Sequence, residues 1–196
     1  MKVLAVCAKS FERSVRKAAG VKPVTSPPLT LAEFPKGLLD GYDFYYFKLH
    51  GLADQPFWYG DDFITAMATD TIVDARMSGA VVFVANCYLP ESPMLWALLR
   101  AGARAVIGGP GENYARPNRV DGADLLGLWL RAGLLLGLSV EKAYRAAMLR
   151  VKAMKPGRAK SDTLAFRVWR PDPLPNPPLF HALCETGEGG RAGNIH

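Results

Sequence analysis

The sequence predicts an α/β protein, built on a mostly parallel sheet with helices on both faces. Short apolar runs alternate along the chain with segments whose apolar residues recur at helical spacing, as in parallel-sheet proteins. The strongest runs, "FYYF" and "AVVFVA", are apolar throughout, as strands covered on both faces are. With 196 residues, 49% hydrophobic and 21% charged, the chain has the size and composition of one globular domain with a sizeable core.

The first quarter of the chain predicts two strands separated by a helix and an irregular segment. Residues 2–8, "KVLAVCA", form a buried strand, and residues 10–20 form a polar helix closed by a glycine. The proline-rich residues 21–38 are irregular, with at most a short strand at their start, near residues 21–24. Residues 42–50, "YDFYYFKLH", are dominated by aromatic side chains, which favours a strand.

The middle of the chain predicts two helices and two strands. An acidic start followed by apolar residues near helical spacing predicts a helix over residues 61–77, beginning at either of two aspartates. Residues 80–87, "AVVFVANC", form the clearest strand in the protein, because its β-branched and aromatic run suits a doubly covered sheet. A helix over residues 92–102 opens with Ser-Pro and closes with glycine, and the short strand "ARAVIGG", 103–109, follows at once.

The last part of the chain predicts two helices, a strand and a tail. The helices cover residues 121–137 and 139–155, the second capped by a serine. Residues 163–170, "TLAFRVWR", alternate apolar and polar side chains and predict a last strand near a sheet edge. We expect one folded domain over residues 1–172 and a partly disordered tail over 173–196, which is rich in proline and then in glycine.

Composition argues against several classes of function. The apolar runs fall short of the roughly 18 residues that a membrane span needs, and the first is too short for a secretion signal, so we expect no membrane association and a cytoplasmic location. Three widely spaced cysteines, Cys7, Cys87 and Cys184, suit a reducing compartment. The net charge of +6 comes from scattered basic residues, so we expect no nucleic-acid partner.

His50 and Cys87 occupy equivalent positions, each at the carboxyl end of a strong predicted strand. If the two strands are parallel neighbours, about 4.8 Å apart, both side chains emerge at the edge of the sheet where α/β proteins place their sites. A cysteine is nucleophilic as a thiolate, and a nearby histidine can take its proton and later protonate a leaving amine. Acyl transfer also needs oxyanion donors, for which Gly51 and the amide of Cys87 are the candidates.

These residues and their strands resemble the caspase-like clan of cysteine peptidases, which includes caspases, legumains, gingipains, separases and bacterial CHAT domains. "YDFYYFKLHG" is similar to the clan's strand ending in His-Gly, and "AVVFVANC" to its strand ending in the catalytic cysteine. "LLRAGARAVIGG" and "GLLLGLSVEKAYRAAM" resemble two later segments of CHAT domains, the group that this chain resembles most. The resemblance covers about residues 42–148 and implies a caspase-like three-layer sandwich.

The resemblance also implies roles for these residues. His50 would be the general base, Cys87 the nucleophile, and Gly51 and the Cys87 amide the oxyanion donors. The substrate would be a protein or peptide, with a regulatory protein as a further partner. The caspase motif around the cysteine is only partly present, because Tyr88 follows it where small residues are common, which would narrow or rebuild the S1 pocket.

The resemblance leaves the preference for the residue before the cleaved bond open. Relatives that cleave after Arg or Lys place an aspartate where this chain has Ala85, so a basic preference would need a carboxylate from Asp54, Glu91 or Glu112. Trp58, in the loop after the histidine, is a further candidate for a substrate contact or for the core.

Two other functions compete with a peptidase. One is a catalytically inactive caspase-like module that binds a protein partner. The other is a small doubly wound domain that binds an anion or phosphate, for which the glycine-rich "IGGPGEN" is the candidate loop, although it lacks the spacing of a P-loop or a dinucleotide-binding motif. His181 and Cys184 have the spacing of half a zinc site, but no second pair exists in the sequence, so we expect no metal and no cofactor.

Overall fold

The computed structural model of the protein describes residues 1–114 and 116–171. The strands are β1 (Val3–Ala8), β2 (Val24–Ser26), β3 (Phe44–Lys48), β4 (His50–Gly51), β5 (Phe57–Tyr59), β6 (Thr65–Ala68), β7 (Val81–Val84), β8 (Ala105–Gly108) and β9 (Arg167–Trp169). The helices are α1 (Glu12–Ala19), α2 (Thr69–Val73), α3 (Met94–Arg100), α4 (Ala123–Leu135), α5 (Val140–Lys152) and α6 (Arg158–Leu164). Single 3-10 turns precede α1, at Lys9–Phe11, and β6, at Asp61–Phe63.

A six-stranded sheet in the order β2-β1-β3-β7-β8-β9 forms the centre of the fold. The first five strands in that order are mutually parallel, and β9 pairs antiparallel with β8 at the edge. The sequence prediction of a mostly parallel sheet is confirmed. The prediction that the last strand lies near an edge is confirmed as well, since among residues 1–114 and 116–171 β9 pairs with β8 alone.

Two hydrophobic cores cover the two faces of this sheet, which makes the domain a three-layer α/β sandwich. Neighbouring residues of each strand point to opposite faces, so that Tyr45 and Phe47 enter one core while Phe44 and Tyr46 enter the other. The first core includes buried side chains of α2 and α3, and the second includes those of α1, α4 and α5. Helices on both faces are what the uninterrupted apolar strands predicted.

A second, three-stranded antiparallel sheet, β4-β5-β6, corrects two sequence predictions. The predicted helix over residues 61–77 is wrong in its first half, where a single 3-10 turn leads into β6 and β6 pairs with β5, and α2 is its α-helical part. The predicted strand 42–50 ends at Lys48, and His50 begins the second sheet by pairing with Tyr59. In both places antiparallel strand pairing outweighs the local sequence pattern. The pairing gives hydrogen-bond partners to the backbone N–H and C=O groups, and it buries Ala66 and Met67.

The C-terminal part of the described chain contains a helix that the sequence pattern did not predict. Helix α6 occupies residues 158–164, so the predicted strand 163–170 shortens to β9. The segment "RAKSDTL" lacks an apolar stripe and buries only Ala159 and Thr163, so it has no helical periodicity to detect. The predicted domain end at 172 and the predicted tail 173–196 lie outside the described residues.

No helix of the described ranges, 1–114 and 116–171, is long and apolar enough to cross a lipid bilayer.

Candidate active site

The register of the central sheet brings the two candidate catalytic residues to one place. Strands β3 and β7 are parallel neighbours, and Phe47 pairs with Val84 at their carboxyl ends. His50 lies three residues beyond Phe47, and Cys87 lies three residues beyond Val84. The two strand ends therefore lie side by side, and the catalytic roles of His50 and Cys87 stay a prediction.

Gly51 lies directly against the backbone of Cys87. A Cβ atom at position 51 would collide with the carbonyl oxygen of Cys87 and would lie 3.4 Å from the Cβ of Asn86. Gly51 is buried. The glycine after the histidine is thus required by a close backbone approach, whichever chemistry the site performs.

Asn86 links the two strand ends and was not among the residues predicted from sequence. Its Oδ1 accepts a hydrogen bond of 2.8 Å from the N–H of Leu49, the residue before His50. Only 1% of Asn86 is exposed, and its Nδ2 has no hydrogen-bond partner within the described residues. A side chain adjacent to Cys87 therefore fixes the backbone adjacent to His50. Sequence offers no signal for this, because the bond crosses between strands 37 positions apart.

The imidazole of His50 contacts two aromatic rings and faces a carboxylate. The ring centroids of Phe11 and Phe63 lie 5.7 and 5.9 Å from that of His50. Oδ1 of Asp61 lies 4.0 Å from Nε2 of His50, and the histidine side chain is 40% exposed. The carboxylate is itself fixed by Ser10, whose N–H and Oγ–H donate to it at 2.8 and 2.7 Å. Asp61 was predicted from sequence only as a helix start.

The thiol of Cys87 has its hydrogen-bond partner in the loop after β8. The N–H of Asn113 donates to Sγ at 3.2 Å, and Nδ2 of Asn113 donates to the carbonyl of Ala85 at 2.7 Å. Within the described residues no hydrogen bond joins Sγ to His50. Burial raises the pKa of the Cys87 thiol above its ordinary value, the Asn113 N–H opposes that rise, and Glu112 adds to it. The thiol is therefore neutral at rest and needs a base to become a nucleophile.

Two of the predicted substrate contacts, Trp58 and Ala85, are buried. Trp58 is fully buried and packs against Phe47, with ring centroids 5.2 Å apart, so its ring belongs to the core. The methyl group of Ala85 lies in the other core. As a correction to the sequence prediction, neither side chain is accessible to a substrate in this structure.

The other four predicted substrate contacts lie on loops that meet beside Cys87. The N–H of Asp54 donates to the carbonyl of Glu91 at 2.9 Å, and the N–H of Tyr88 donates to the carbonyl of Gly111 at 2.7 Å. Both Asp54 and Tyr88 adopt a left-handed backbone, with φ of 57° and 56°.

Glu112 forms an ion pair with Arg158, so its charge is already compensated. Of the three carboxylates proposed for a basic substrate residue, Asp54 and Glu91 remain exposed without an ion pair among the described residues.

The glycine-rich loop "IGGPGEN" packs its first glycines against the protein interior. A Cβ at Gly108 would collide with Leu89, and one at Gly109 would lie 2.6 Å from the ring of Phe166. Close packing accounts for both glycines, without a bound phosphate. Within residues 1–114 and 116–171, there is no cluster of three or more His, Cys, Asp or Glu side chains that could hold a metal ion. The half zinc site at His181 and Cys184 lies outside the described residues.

Comparison with known proteins finds several solved structures of related shape, among them the two that follow. No protein-family model matches the chain, and no curated protein matches it. The structure of the Saccharomyces cerevisiae separase–securin complex superposes with a TM-score of 0.49 at 13% identity, over 86% of this chain and 12% of the other. A structure described as a protease superposes with a TM-score of 0.47 at 14% identity, over 85% of this chain and 46% of the other. This chain thus spans less than half the length of either.

Proposed function

We propose that the protein is a caspase-like cysteine endopeptidase that cleaves peptide bonds through a thioester on Cys87, with His50 as the general base. The observation that carries the proposal is the contact of Gly51 with the backbone of Cys87, at the carboxyl ends of two neighbouring parallel strands. It supports a composite site in which a thiol, an imidazole and backbone amides share one edge of the sheet. The resemblance of both strand motifs to the caspase-like clan points to the same chemistry.

The reaction is acyl transfer in two steps. His50 takes the proton from Sγ of Cys87 as the sulfur attacks the carbonyl carbon of the substrate. The C–N bond then breaks, and the imidazolium returns the proton to the leaving amine, which leaves a thioester. Water, activated by the neutral imidazole, hydrolyses the thioester and restores the thiol. Because the resting thiol is bound by Asn113 rather than by His50, the cycle requires a side-chain rotation that brings the imidazole to Sγ.

Backbone amides at the same edge are suited to stabilise the oxyanion. The N–H of Cys87 donates no hydrogen bond within the described residues, so it is free to bind a developing negative charge. The amide of Gly51 is the second donor that we propose, since that residue touches the Cys87 backbone. Together they would stabilise both tetrahedral intermediates.

Asp61 is the residue that we propose to position His50. It faces Nε2 at 4.0 Å, and its own geometry is fixed by two hydrogen bonds from Ser10. A fixed carboxylate beside an imidazole orients the ring and stabilises the imidazolium that forms when the thiol loses its proton. Asp61 acts through His50 and does not touch the reacting atoms.

One observation favours the second candidate, an inactive caspase-like module that binds a protein. The pKa of Cys87 is raised, and its thiol is bound to a backbone amide instead of to the histidine. Such a thiol is a poor nucleophile unless His50 reaches it. The two candidates therefore differ in one measurable property, catalysis that depends on Cys87.

Digestion of a diverse peptide library, followed by mass spectrometry, distinguishes the peptidase from the inactive binding module. We expect new peptide termini with the wild-type protein, and we expect their loss in Cys87→Ala and His50→Ala. Cys7→Ala is the matched control, because Cys7 is fully buried in the sheet core and takes no part in the proposed chemistry. Cleavage that persists in Cys87→Ala, or no cleavage by the folded wild-type protein, would refute the peptidase proposal.

A further inference from the structure

A row of aromatic rings leads away from His50 across the second sheet. Side chains of β5 alternate between the two faces of that sheet, so Trp58 enters the core while Phe57 and Tyr59 stay partly exposed. The ring centroids of Phe57 and Tyr59 lie 6.4 Å apart, and that of Phe63 lies 6.0 Å from Tyr59. The ring of Phe63 also lies 5.9 Å from that of His50. We call Phe57, Tyr59 and Phe63 the aromatic strip.

Phe63 has a backbone conformation that a bulky side chain rarely adopts. Its φ is 55°, and that of the preceding residue, Asp62, is 56°, so two consecutive residues are left-handed. The side chain of Phe63 is 64% exposed, more than any other aromatic side chain in residues 1–114 and 116–171. Core packing therefore does not account for a phenylalanine at this turn. A strained backbone that presents an apolar ring to solvent is typical of a binding surface.

Contacts join the aromatic strip to both proposed catalytic residues. His50 pairs with Tyr59 between β4 and β5, which holds their backbones side by side. The next residue, Gly51, lies directly against the backbone of Cys87. Rotation of the imidazole toward Sγ leaves the strip in place, because strand pairing fixes the backbone of His50 and not its ring. The strip therefore borders the site that contains the thiol.

The proposed chemistry decides which part of a substrate the strip meets. His50 returns a proton to the leaving amine, so the amine nitrogen must come within hydrogen-bond reach of the imidazole. The Cα of that residue is one bond further, so its side chain starts within about 5 Å of the imidazole. The ring of Phe63 lies at a similar distance, 5.9 Å between centroids. The first residue of the leaving half can therefore place its side chain against Phe63.

We propose that the aromatic strip binds an aromatic or large aliphatic side chain on the first residue after the cleaved bond, with Phe63 as the main contact. The inference rests on the proposed peptidase function and names its substrate class, peptides with an apolar residue at that position. Burial of apolar surface and contact between rings supply the affinity. Tyr59 and Phe57 extend the same surface away from His50, toward later residues of the leaving half.

Peptides that mimic the leaving half test the strip without turnover. The probes are pentapeptides with a free amino terminus, Xaa-Ala-Gly-Ser-Lys, labelled with fluorescein on the lysine side chain, in which Xaa is Phe, Leu or Ala. Their affinity for the Cys87→Ala protein is measured by anisotropy. We expect the Phe peptide to bind about tenfold more tightly than the Ala peptide, with the Leu peptide between them. Equal affinities, or no binding of any of the three, would overturn the proposal.

Substitutions at Phe63 should abolish this preference without loss of the fold. Glycine and asparagine tolerate the left-handed backbone, so Phe63→Gly and Phe63→Asn remove the ring without adding strain. In the Cys87→Ala background, each should bring the Phe and Ala peptides to equal affinity, whereas Phe63→Trp should keep the preference.

Asp62→Gly is the matched control. It relaxes the neighbouring left-handed residue and leaves the ring of Phe63 in place, so the tenfold ratio should persist. A ratio that survives in Phe63→Gly and Phe63→Asn would show that the peptide binds elsewhere and would overturn the proposal. Loss of the ratio in Asp62→Gly would overturn it too, since the turn and not the ring would then be the cause.

Cleavage separates failure of the strip from failure of the peptidase. Substrates found with the peptide library are made in pairs with Phe or Ala after the cleaved bond. Cleavage of both members at equal rates overturns the strip and leaves the peptidase standing. Selective binding that Phe63 controls, without cleavage by the wild type, supports the strip as a site for apolar peptides and refutes the peptidase. Selective binding together with faster cleavage of the Phe substrate supports both.

Discussion

The reactivity of Cys87 depends on a balance between burial and one backbone hydrogen bond. Burial disfavours the thiolate, whereas the N–H of Asn113, 3.2 Å from Sγ, favours it, and burial has the larger effect. The carboxylate of Glu112 disfavours the thiolate further, and its ion-pair partner Arg158 partly offsets this effect. The thiol of Cys87 is therefore neutral in the resting site, and its proton must be removed when the substrate is bound.

The pH dependence of alkylation should report this raised pKa. A raised pKa leaves a smaller thiolate fraction at neutral pH, so the rate of Cys87 alkylation by iodoacetamide should inflect at a higher pH than that of a cysteine in an unstructured peptide. Glu112→Gln should move the inflection to lower pH, because it removes a negative charge near the thiol, while the remote, exposed Glu33→Gln should not move it. An inflection below that of the free peptide would contradict the neutral resting thiol and indicate a thiolate paired with a cation.

Replacing Asp61 tests the proposed positioning of His50. Asp61→Asn keeps an oxygen that can accept from Ser10 but removes the charge beside the imidazole. For a substrate found in the library, we expect kcat to fall roughly tenfold, about 1.4 kcal/mol in activation free energy, with KM nearly unchanged. Asp62→Asn, at the exposed neighbouring position, is the control. A lower melting temperature with unchanged kcat would mean that Asp61 has a structural role only.

A buried ion pair joins strand β3 to helix α4 close to the site. Nζ of Lys48 lies 2.5 Å from Oδ2 of Asp124, and both side chains are almost completely buried. The hydroxyl of Tyr46 donates to Oδ1 of Asp124 at 2.6 Å, and Nζ of Lys48 donates to Ser14 at 3.2 Å. Because Lys48 lies two residues before His50, this network fixes the strand end that carries the histidine.

Breaking that pair from one side should destabilise the fold strongly. Lys48→Met leaves the carboxylate of Asp124 buried without its cation, for which we expect a loss of about 3–5 kcal/mol in the free energy of unfolding. Lys48→Met with Asp124→Asn should lose less than the single variant, because the amide is neutral and can still accept from Tyr46. Urea denaturation measures both. A double variant that is less stable than the single one would show that the charge is not the cause.

The sequence predicted the strands that are continuous apolar runs and missed the strands that form because a neighbouring strand pairs with them. The runs of β3 and β7 need burial on both faces, so their place in the sheet, and with it the neighbourhood of His50 and Cys87, followed from local pattern. Strand β6 carries a helix-like pattern and becomes a strand because β5 pairs with it. The supports of the site, Asp61, Asn86 and Asn113, could not be predicted, since each acts through partners far away in the chain.

In the whole molecule, the two-core sandwich gives a rigid base to loops that converge at one edge of the sheet. The segment after β1 supports His50 through Phe11, and its Ser10 fixes Asp61 in the turn before β6. The loop after β8 supports Cys87 through Asn113. Gly51 and Asn86 join the two strand ends between them. The site is therefore assembled from five segments that only the completed fold brings together, as is typical of α/β proteins. A reducing compartment, which the sequence predicts, would keep Cys87 a thiol.

The thioester on Cys87 is the most direct test of this account. A substrate found in the library is mixed with the protein, and the reaction is quenched in acid within the first turnovers. The protein is then digested, and its peptides are mapped by mass spectrometry. We predict an adduct with the mass of the acyl half of the substrate, carried by Cys87, released by hydroxylamine and absent from Cys87→Ala. Substrate cleavage that proceeds equally in Cys87→Ala, or an acyl adduct that maps to another residue, would contradict it.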